Sequence, residues 1–391
     1  MTTLAGGLIL LALAAAGALA GRVRQSPIPL AILLGLALRP WVAEEELVHF
    51  FGQLGLLLLL FFLGLEFSLP ELLAAPGRTL RMGAWDAAIN LPIGLAVGWA
   101  AGWSPWASLA LGAAVYVTSS AIVARSVIDL RRTAHPETEV ALRVLVFEDL
   151  AAALLLGVLA TAGRGLLSVV TALAFLAVAV ALGLRGRALH TRVLAVADDD
   201  LFVLTLMGLL LVLAWVAGAA GLSAAIGAFV AGLWVAETPV RGRARDLLGP
   251  FYGPFAAFFF FAFGTQVDPS AFARLWPLAL LLVAAGAAGK LLAGWWIGRV
   301  EGLSRRARWA LAFTLIPRGE FSVVIAAAVE PSLAPDLAPL TALVVLGLAV
   351  LGSAAIYAAP AWVRAVTGEG APAEPGAIRA ETAARGSRTP G

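Results

Sequence analysis

Two acidic residues stand side by side in one of the most apolar stretches of the chain. Glu148 and Asp149 lie in the segment VLVFEDLAAALLLGVLA, which runs from residue 144 to 160. A charge near the centre of a bilayer costs about 2.5 to 3.5 kcal/mol on insertion scales, so such residues mark ion or proton pathways by default. A buried carboxylate binds a proton or a cation, and these are the two kinds of chemistry that the pair offers.

The pair has a candidate partner in Lys290, the only lysine of the sequence. Glu148 falls about 13 Å and Lys290 about 12 Å from the same predicted membrane surface, at about 1.5 Å per helical residue. A buried lysine changes its protonation more readily than an arginine, which suits a reversible partner. If Glu148 and Lys290 neutralise each other, Asp149 leaves one negative charge, which a proton or a monovalent cation can cancel.

A purely structural interpretation of these charges stays open. In this interpretation, Glu148 and Lys290 form an ion pair that holds two spans together, and burial keeps Asp149 protonated. Adjacent helical positions point about 100° apart, so Glu148 and Asp149 cannot both face Lys290. The sequence therefore favours a site at Asp149 that a proton and a cation occupy in turn.

Polar residues also interrupt two other apolar spans at their middle. One interruption is VTSSAIV, with hydroxyls on Thr118, Ser119 and Ser120. Irregular backbone at that depth survives only where protein or a water-filled cavity covers it. Hydroxyls and freed carbonyls supply oxygen ligands, so these three residues are candidate cation ligands beside Asp149.

The second interruption is LIPRGEFS. Pro317 removes an amide donor and Gly319 loosens the backbone, so we expect the helix to break there. Arg318 and Glu320 are expected to neutralise the helix dipoles at the break and to brace it. Two breaks at matching positions indicate an ion or substrate site between them.

Three other polar residues lie within spans or at their ends. Asp86 and Asn90 are one helical turn apart, and they either line an aqueous entrance or hydrogen-bond a neighbouring helix. Glu66 ends a span, where placement at the membrane interface is favoured over a role in a vestibule.

The elements that must position these residues are membrane-spanning helices. The 391 residues are 61% hydrophobic and 13% charged, far from the composition of soluble domains. Apolar stretches long enough to cross a bilayer recur along the chain. We predict an all-α polytopic membrane protein with about thirteen spans, at 4–20, 27–39, 47–66, 80–101, 106–127, 140–162, 166–184, 201–218, 221–236, 252–264, 272–298, 308–330 and 338–361.

The odd number of spans predicts two inverted six-helix repeats, at about 4–162 and 201–361, joined by a bridging helix at 166–184. Residues 1–365 then form one transmembrane domain. Residues 366–391 are rich in Gly, Pro, Ala, Glu, Arg and Thr, which predicts a disordered cytoplasmic tail.

The basic residues predict the orientation of the chain in the membrane. When every second connection is assigned to the cytoplasm, most of the 27 basic residues fall on that side. The positive-inside rule then places the amino terminus outside and the carboxyl terminus in the cytoplasm, for a multi-pass protein of the inner (plasma) membrane. The same distribution explains the basic pI without nucleic acid. The chain has no cysteine, which excludes thiolate metal sites, and we expect no cofactor and no metal beyond a transported cation.

Six stretches of the chain look like the signatures of one family, in that family's order: FFLGLEFSLPEL, TSSAIVARSVIDL, VLVFEDL, GLSAAIGAFVAG, FFFFAFGTQVD and TLIPRGEFSVVIA. In them the chain resembles the monovalent cation:proton antiporter-2 family, which includes the Kef potassium efflux antiporters and bacterial sodium/proton exchangers. The resemblance covers nearly all of residues 1 to 365.

The resemblance implies thirteen helices in a core and a dimerisation unit, a homodimer, and elevator-like alternating access. It makes Asp149 the cation and proton carrier and Lys290 its basic partner. The family usually has aspartate or glutamine where this chain has Glu148, and an acidic partner for Lys290 resembles the electrogenic members. The FED motif without an attached nucleotide-binding domain looks most like the membrane subunits of Kef- and Kht-type potassium/proton antiporters, whose cytoplasmic regulator is a separate chain. Potassium is favoured over sodium on that basis alone.

Other functions were weighed against exchange. An intramembrane hydrolase needs two aspartates on different helices, a serine with a histidine, or a zinc motif such as H-E-x-x-H, and the three histidines lie in polar connections. We therefore expect no enzyme. A cation channel and a sodium-coupled symporter of related architecture remain as alternatives, because they use similar buried carboxylates.

Overall fold

The structure, a computed structural model, describes residues 3–42, 45–66, 76–162, 166–220 and 222–367. Within these ranges every regular element is a helix. The first half contains α1 (Thr3–Arg22), α2 (Ile28–Val42), α3 (Glu46–Glu66), α4 (Pro76–Ala100), α5 (Pro105–Tyr116), α6 (Ser120–Asp129) and α7 (Pro136–Leu159). After α8 (Leu166–Arg185) and the short α9 (Arg187–Val193), the second half contains α10 (Asp199–Ala219), α11 (Ala224–Ala236), α12 (Arg241–Gln266), α13 (Phe272–Val300), α14 (Arg305–Thr314), α15 (Glu320–Ala327) and α16 (Leu337–Thr367).

The all-helical prediction is confirmed, and each predicted span coincides with a helix or with two halves of a broken one. The largest difference in bounds concerns the predicted span 252–264, because α12 begins at Arg241 and runs through Pro250 and Pro254. Prolines are tolerated in membrane helices where neighbouring groups satisfy the freed carbonyls. Of the predicted tail, residues 368–391 lie outside the described residues.

Seven helical segments in the described part of the chain are long and apolar enough to cross a membrane. Three shorter apolar helices, at 28–42, 168–183 and 224–236, add to them. The remaining predicted spans are 80–101, 140–162 and 308–330. These are the spans that contain Asp86, the Glu148–Asp149 pair, and Arg318 with Glu320. The chain is a multi-pass membrane protein in which these three spans carry buried charges, as does α13 with Lys290.

Two similar turns lie at equivalent positions of the two predicted repeats. Two residues after the end of α4 and of α13 stands a glycine in the left-handed region, with φ of 77° at Gly102 and 74° at Gly302. Glycine adopts this conformation without steric cost, and a residue in it commonly terminates a helix. Two residues later Ser104 and Ser304 cap the next helix, each accepting a hydrogen bond of 3.2 Å from the backbone amide three residues on. The same cap starts both broken helices.

The helices form two bundles. In the first bundle, α2 and α3 pack against α12, α3 against α11, and α10 against α11, while α1 lies against α2. In the second bundle, α4 packs against α5, α7 and α13, and α16 packs against α13, α14 and α15. Contacts between the bundles are few, and a cavity lies between them.

Candidate functional site

The two broken helices cross at the middle of the second bundle. Residues 117–119 separate α5 from α6, and residues 315–319 separate α14 from α15. The backbone amide of Ser119 donates to the carbonyl of Pro317 at 3.0 Å. A Cβ atom on Gly319 would lie 2.6 Å from Oγ of Ser119, so the crossing requires glycine there. The predicted pair of crossed broken helices is confirmed.

Arg318 is fully buried at this crossing. Its guanidinium donates to the carbonyls of Val115 at 2.5 Å, Leu315 at 3.1 Å and Ile316 at 2.8 Å. These carbonyls lie at the ends of α5 and α14, where the helix dipole places partial negative charge. The arginine therefore satisfies acceptors that the breaks leave without helical partners.

A cavity of about 600 Å³ separates the bundles and reaches the crossing. The second bundle contributes Asp149, Ser120 and Glu320 to its wall, and the first contributes Glu66 and Tyr252, among others. We call it the central cavity. Glu66 pairs with Arg245, another lining residue, at 3.0 Å. Glu66, which the sequence favoured as an interfacial residue, therefore lines the cavity.

Asp149 and Glu320 are the two carboxylates that the second bundle presents to the central cavity. Ser120 Oγ donates to Asp149 Oδ1 at 3.3 Å. Glu320 accepts from Ser119 Oγ at 2.7 Å and from the amide of Ala121 at 3.3 Å. Of the three predicted hydroxyl ligands, the structure therefore places only that of Ser120 on Asp149.

Behind this wall lies a sealed group of charges. Lys290 Nζ donates to Glu148 Oε1 at 2.9 Å and to Asp86 Oδ2 at 2.6 Å, and all three side chains are fully buried. The backbone amide of Thr118 donates to Oε2 of Glu148. The hydroxyl oxygen of Thr118 lies 3.1 Å from Oε1 of Glu148. The ammonium lies 5.0 Å from the centre of the Tyr116 ring. We call Asp86, Lys290 and Glu148 the buried cluster.

It was not predicted from the sequence that Asp86 belongs to this group of charges. The predicted charge count used Glu148, Asp149 and Lys290 and left Asp86 out. Asn90 Nδ2 donates to Asp86 Oδ1 at 3.0 Å. Of the two interpretations of Asp86 and Asn90, the structure shows the hydrogen bond to a neighbouring helix, through Lys290 on α13. An aspartate in a span was the available signal, but its partner depends on how α4 packs.

Two glycines bring α4 close enough for this contact. A Cβ on Gly289 would lie 2.6 Å from Oδ1 of Asn90, and one on Gly83 would overlap the ring of Phe147 on α7. Gly83 is one turn from Asp86, and Gly289 directly precedes Lys290. Small residues at helix interfaces allow backbones to approach closely in membranes. The cluster therefore depends on residues that carry no charge.

The sequence comparison identifies the class of protein that has this fold and site. Residues 8–358 match the sequence profile of the family described as "Sodium/hydrogen exchanger, transmembrane". The chain belongs to this family and is a cation/proton antiporter. Its relatives are transporters rather than enzymes.

Individual relatives share most of the chain. It is 34% identical to the "K(+)/H(+) antiporter subunit KhtU" of Bacillus subtilis, over 88% of this chain and 90% of the relative. It is also 34% identical to the "Ammonium/H(+) antiporter subunit AmhT" of Alkalihalophilus pseudofirmus, over 82% of this chain and 84% of that protein. The expected resemblance to Kef- and Kht-type antiporters is confirmed.

A solved structure has the same fold. The sodium proton antiporter MjNhaP1 from Methanocaldococcus jannaschii at pH 8 superposes with a TM-score of 0.67, over 91% of this chain and 95% of its own. Sequence identity is 15%, so this likeness supports the fold alone.

Proposed function

We propose that the protein exchanges potassium for protons and that Asp149 is the carboxylate that both ions occupy in turn. The observation that carries this proposal is the position of Asp149. It is the member of the adjacent acidic pair that lines the central cavity, while Glu148 is sealed behind it. An ion can therefore reach Asp149 without displacing Lys290.

The preference for potassium rests on the relatives. KhtU is a potassium/proton antiporter subunit by name, and the equally similar AmhT is an ammonium/proton antiporter subunit. Potassium and ammonium are weakly hydrated monovalent cations of similar size, so one site could serve both. Sodium is the second candidate cation, supported by the more distant "High-affinity Na(+)/H(+) antiporter NhaS3" of Synechocystis sp. at 27% identity.

The two-bundle architecture supports elevator-like alternating access. The second bundle carries Asp149, Ser120 and Glu320 as one body, and the first bundle provides the opposite wall of the cavity. Movement of the second bundle along the first would carry the site across the barrier. In the orientation with the amino terminus outside, the cavity mouth with Glu66 and Arg245 faces the cytoplasm. We further propose a homodimer and a separate cytoplasmic regulatory chain, as the word subunit in both relatives' names suggests.

The first experiment measures proton release from acidified everted vesicles when potassium and then sodium is added. We expect dequenching of a pH-sensitive dye with potassium, a weaker response to sodium, and none in Asp149→Asn. Ammonium requires a direct flux measurement, because ammonia alone dissipates a pH gradient. A stronger response to sodium would overturn the potassium assignment. Ion currents without stoichiometric proton movement would favour a channel, and co-transport of sodium with an organic anion would favour a symporter.

A second experiment tests the movement. Leu63 and Leu142 line the central cavity from opposite bundles, and the chain has no native cysteine. We expect a bis-maleimide to stop exchange in Leu63→Cys/Leu142→Cys, whereas each single variant treated in the same way keeps exchanging. Unchanged exchange in the cross-linked double variant would contradict a relative movement of the bundles.

A further inference from the structure

A second, smaller cavity lies at the boundary of the two bundles. Its volume is about 150 Å³. The linker between α1 and α2 contributes Arg24 to its wall from the first bundle, and the second bundle contributes Arg125 on α6 and Tyr357 on α16. Every residue that lines it in the described structure is neutral or basic. We call it the arginine cavity, and in the proposed orientation it lies towards the cytoplasmic surface.

The two arginines reach across the boundary in opposite directions. The guanidinium carbon of Arg24, from the first bundle, lies 5.7 Å from the centre of the Tyr357 ring on the second. Nη2 of Arg125, from the second bundle, lies 3.9 Å from the position that a Cβ on Gly21 of α1 would take. Each bundle therefore presents one positive charge to the other at this cavity.

These two charges are only partly compensated. Asp129, one turn after Arg125, accepts from the hydroxyl of Tyr357 at 2.8 Å and lies 3.9 Å from Nε of Arg125, beyond hydrogen-bond distance. Arg24 has the Tyr357 ring but no carboxylate partner in the described part of the chain. Glu320 lines a neighbouring cavity and takes its hydrogen bonds from the start of α6. Even with Asp129 counted, the arginine cavity carries an excess of positive charge, which favours an anionic ligand.

Ser353 adds an unused hydroxyl to the same cavity. Its side chain is 1% exposed, and its Oγ has no hydrogen-bond partner in the described structure. A buried polar group without a partner is costly, so its presence indicates a ligand that completes the site. The hydroxyl and the N–H donors of two guanidinium groups suit the several oxygens of a phosphate group, which arginine binds in a bidentate manner.

A largely apolar cavity adjoins the arginine cavity. Its volume is about 160 Å³, and the two share Ser26, Pro27 and Ala121 as lining residues. Ile28 and Phe260 contribute to its apolar walls. A phospholipid could place its phosphate between the arginines and the first part of a hydrocarbon chain here. Basic pockets between membrane helices on the cytoplasmic side are typical binding sites for lipid head groups.

We propose that Arg24, Arg125 and Ser353 form a binding site for a phosphate group, supplied either by an anionic phospholipid of the cytoplasmic leaflet or by free phosphate. The bound group contacts Arg24 of the first bundle and Arg125 of the second, and thereby joins the bundles. Given the elevator-like movement proposed above, it holds the protein in the present conformation and slows exchange. Binding itself does not depend on Asp149 or on the exchange reaction.

The backbone provides a variant that removes one arginine without disturbing the fold. Arg24 has φ of 54°, and the amide of Gln25 donates to the carbonyl of Ala20 at 2.9 Å, the pattern of a helix end at which glycine is the usual residue. Arg24→Gly therefore keeps the turn. Arg131→Gly is the matched control, because Arg131 has φ of 55° after α6 and does not line the arginine cavity.

The melting temperature of the purified protein in detergent measures binding, since a ligand of the folded state raises it in a concentration-dependent way. We expect a saturable rise with dioctanoyl phosphatidylglycerol and none with dioctanoylglycerol, which lacks the phosphate. Inorganic phosphate, compared with chloride salts of the same cation, is the second probe. A rise with phosphate identifies free phosphate as sufficient, and a rise with the lipid alone identifies the lipid as the source.

The variants show whether the probe occupies this cavity. Loss of one charged hydrogen-bond donor should raise the half-saturating concentration about ten-fold in Arg24→Gly and in Arg125→Gln. Arg131→Gly, which loses the same charge, should keep the wild-type value. No saturable rise with either probe, or equal values in Arg24→Gly and Arg131→Gly, would overturn the site.

Exchange in phosphatidylcholine proteoliposomes tests the link between the bundles. Phosphatidylglycerol or phosphate, whichever binds, should slow exchange in the wild type and in Arg131→Gly but not in Arg24→Gly. An equal effect in all three would show that the probe acts through surface charge and would overturn the link. The proposals fail separately: exchange retained in Asp149→Asn removes the carrier assignment and leaves the binding result intact. Binding that does not depend on Arg24 removes the phosphate site and leaves Asp149 in place.

Discussion

Glu148 and Asp149 are neighbours on α7, yet they belong to different regions of the molecule. Glu148 faces the interior of the second bundle and contacts Lys290 and Thr118. Asp149 faces the central cavity and contacts Ser120. Successive helical positions differ by about 100°, which is enough to seal one carboxylate and expose the other. One helical step thus separates a charge that holds the bundle together from a charge that ions can reach.

The strongest test of this comparison is Asp149→Asn. We expect exchange to fall to the background of empty vesicles, because the uncharged amide binds neither a proton nor a cation tightly. Thermal stability in detergent should stay at the wild-type value, since Asp149 forms no ion pair in the described structure. Coupled transport in this variant, or its failure to fold, would erase the distinction between the two carboxylates.

Lys290→Met should have the opposite profile. Loss of the ammonium leaves Asp86 and Glu148 buried without a counter-charge, and breaking such a pair by removing one partner costs about 3 to 5 kcal/mol. A large fall in melting temperature, measured by fluorescence-detected size-exclusion chromatography, is the expected result. The matched control is Arg245→Met, which removes a charge from an exposed pair at the cavity mouth and should change stability little.

Gly289→Ala tests the packing that holds the cluster, without changing a charge. The added Cβ would lie 2.5 Å from Cδ1 of Ile93 and 2.6 Å from Oδ1 of Asn90, so these side chains of α4 must move, at a cost of about 1 to 3 kcal/mol. Gly286→Ala on the same helix is the control, because its Cβ would meet only side-chain methyl groups at 3.4 Å. Equal melting temperatures for the two variants would show that Ile93 and Asn90 rearrange without loss of stability.

Ser120→Ala should have a smaller effect, on cation binding at Asp149 in the central cavity. It removes one hydrogen bond to Asp149, whose net contribution is about 1 kcal/mol, so the cation concentration for half-maximal exchange should rise roughly five-fold. Thr205→Ala, whose hydroxyl bonds only within α10, should leave this concentration unchanged. If Ser120→Ala behaves like Thr205→Ala, the hydroxyl has no part in cation binding.

The smallest effect on stability is expected at Glu301, which lies just beyond the end of α13. It adds a carboxylate at the membrane surface to the comparison of a sealed and an accessible one. Burial alone would raise its pKa, but hydrogen bonds from Arg81 at 2.7 Å and Arg78 at 2.5 Å prevail and lower the pKa below the ordinary value of 4.5. Its contribution to stability is therefore fully present above pH 4.5 and disappears as the pH falls through the lowered value. Glu301→Gln should melt slightly below wild type at neutral pH, and the difference should vanish in acid. A difference that grows in acid would contradict this sign.

Much of the fold could be predicted from the sequence, because it depends on local properties. Apolar stretches of membrane length specify spans, and the polar residues at 118–120 and 317–320 specify breaks. The predicted start of the span at residue 252 was wrong, since α12 begins at Arg241 and continues through Pro250 and Pro254, although a proline taken locally indicates a helix boundary. In the membrane interior, neighbouring helices offset that local rule.

The site was less accessible to prediction from sequence. Lys290 and Glu148 were predicted to meet because they lie at matching depths in the membrane, and depth can be counted along each span from the sequence alone. The partner of Asp86 depends on which face of α4 meets α13, and that is decided by Gly83 and Gly289 through close packing. The separation of Thr118 from Ser120, one facing the sealed cluster and the other the cavity, likewise follows from the crossing of the two breaks. Local patterns do not encode such angles.

The crossing of the two breaks also has a consequence for how the protein is made. Ser119 hydrogen-bonds Pro317, and Glu148 and Asp86 bind Lys290, so the polar centre of the first half finds its partners only in the second. A nascent chain that has released only its first seven helices must hold these groups in the membrane without their partners. Chains that stop early would therefore be recognisable as incomplete by their unsatisfied polar groups, and assembly of the ion site would coincide with completion of synthesis.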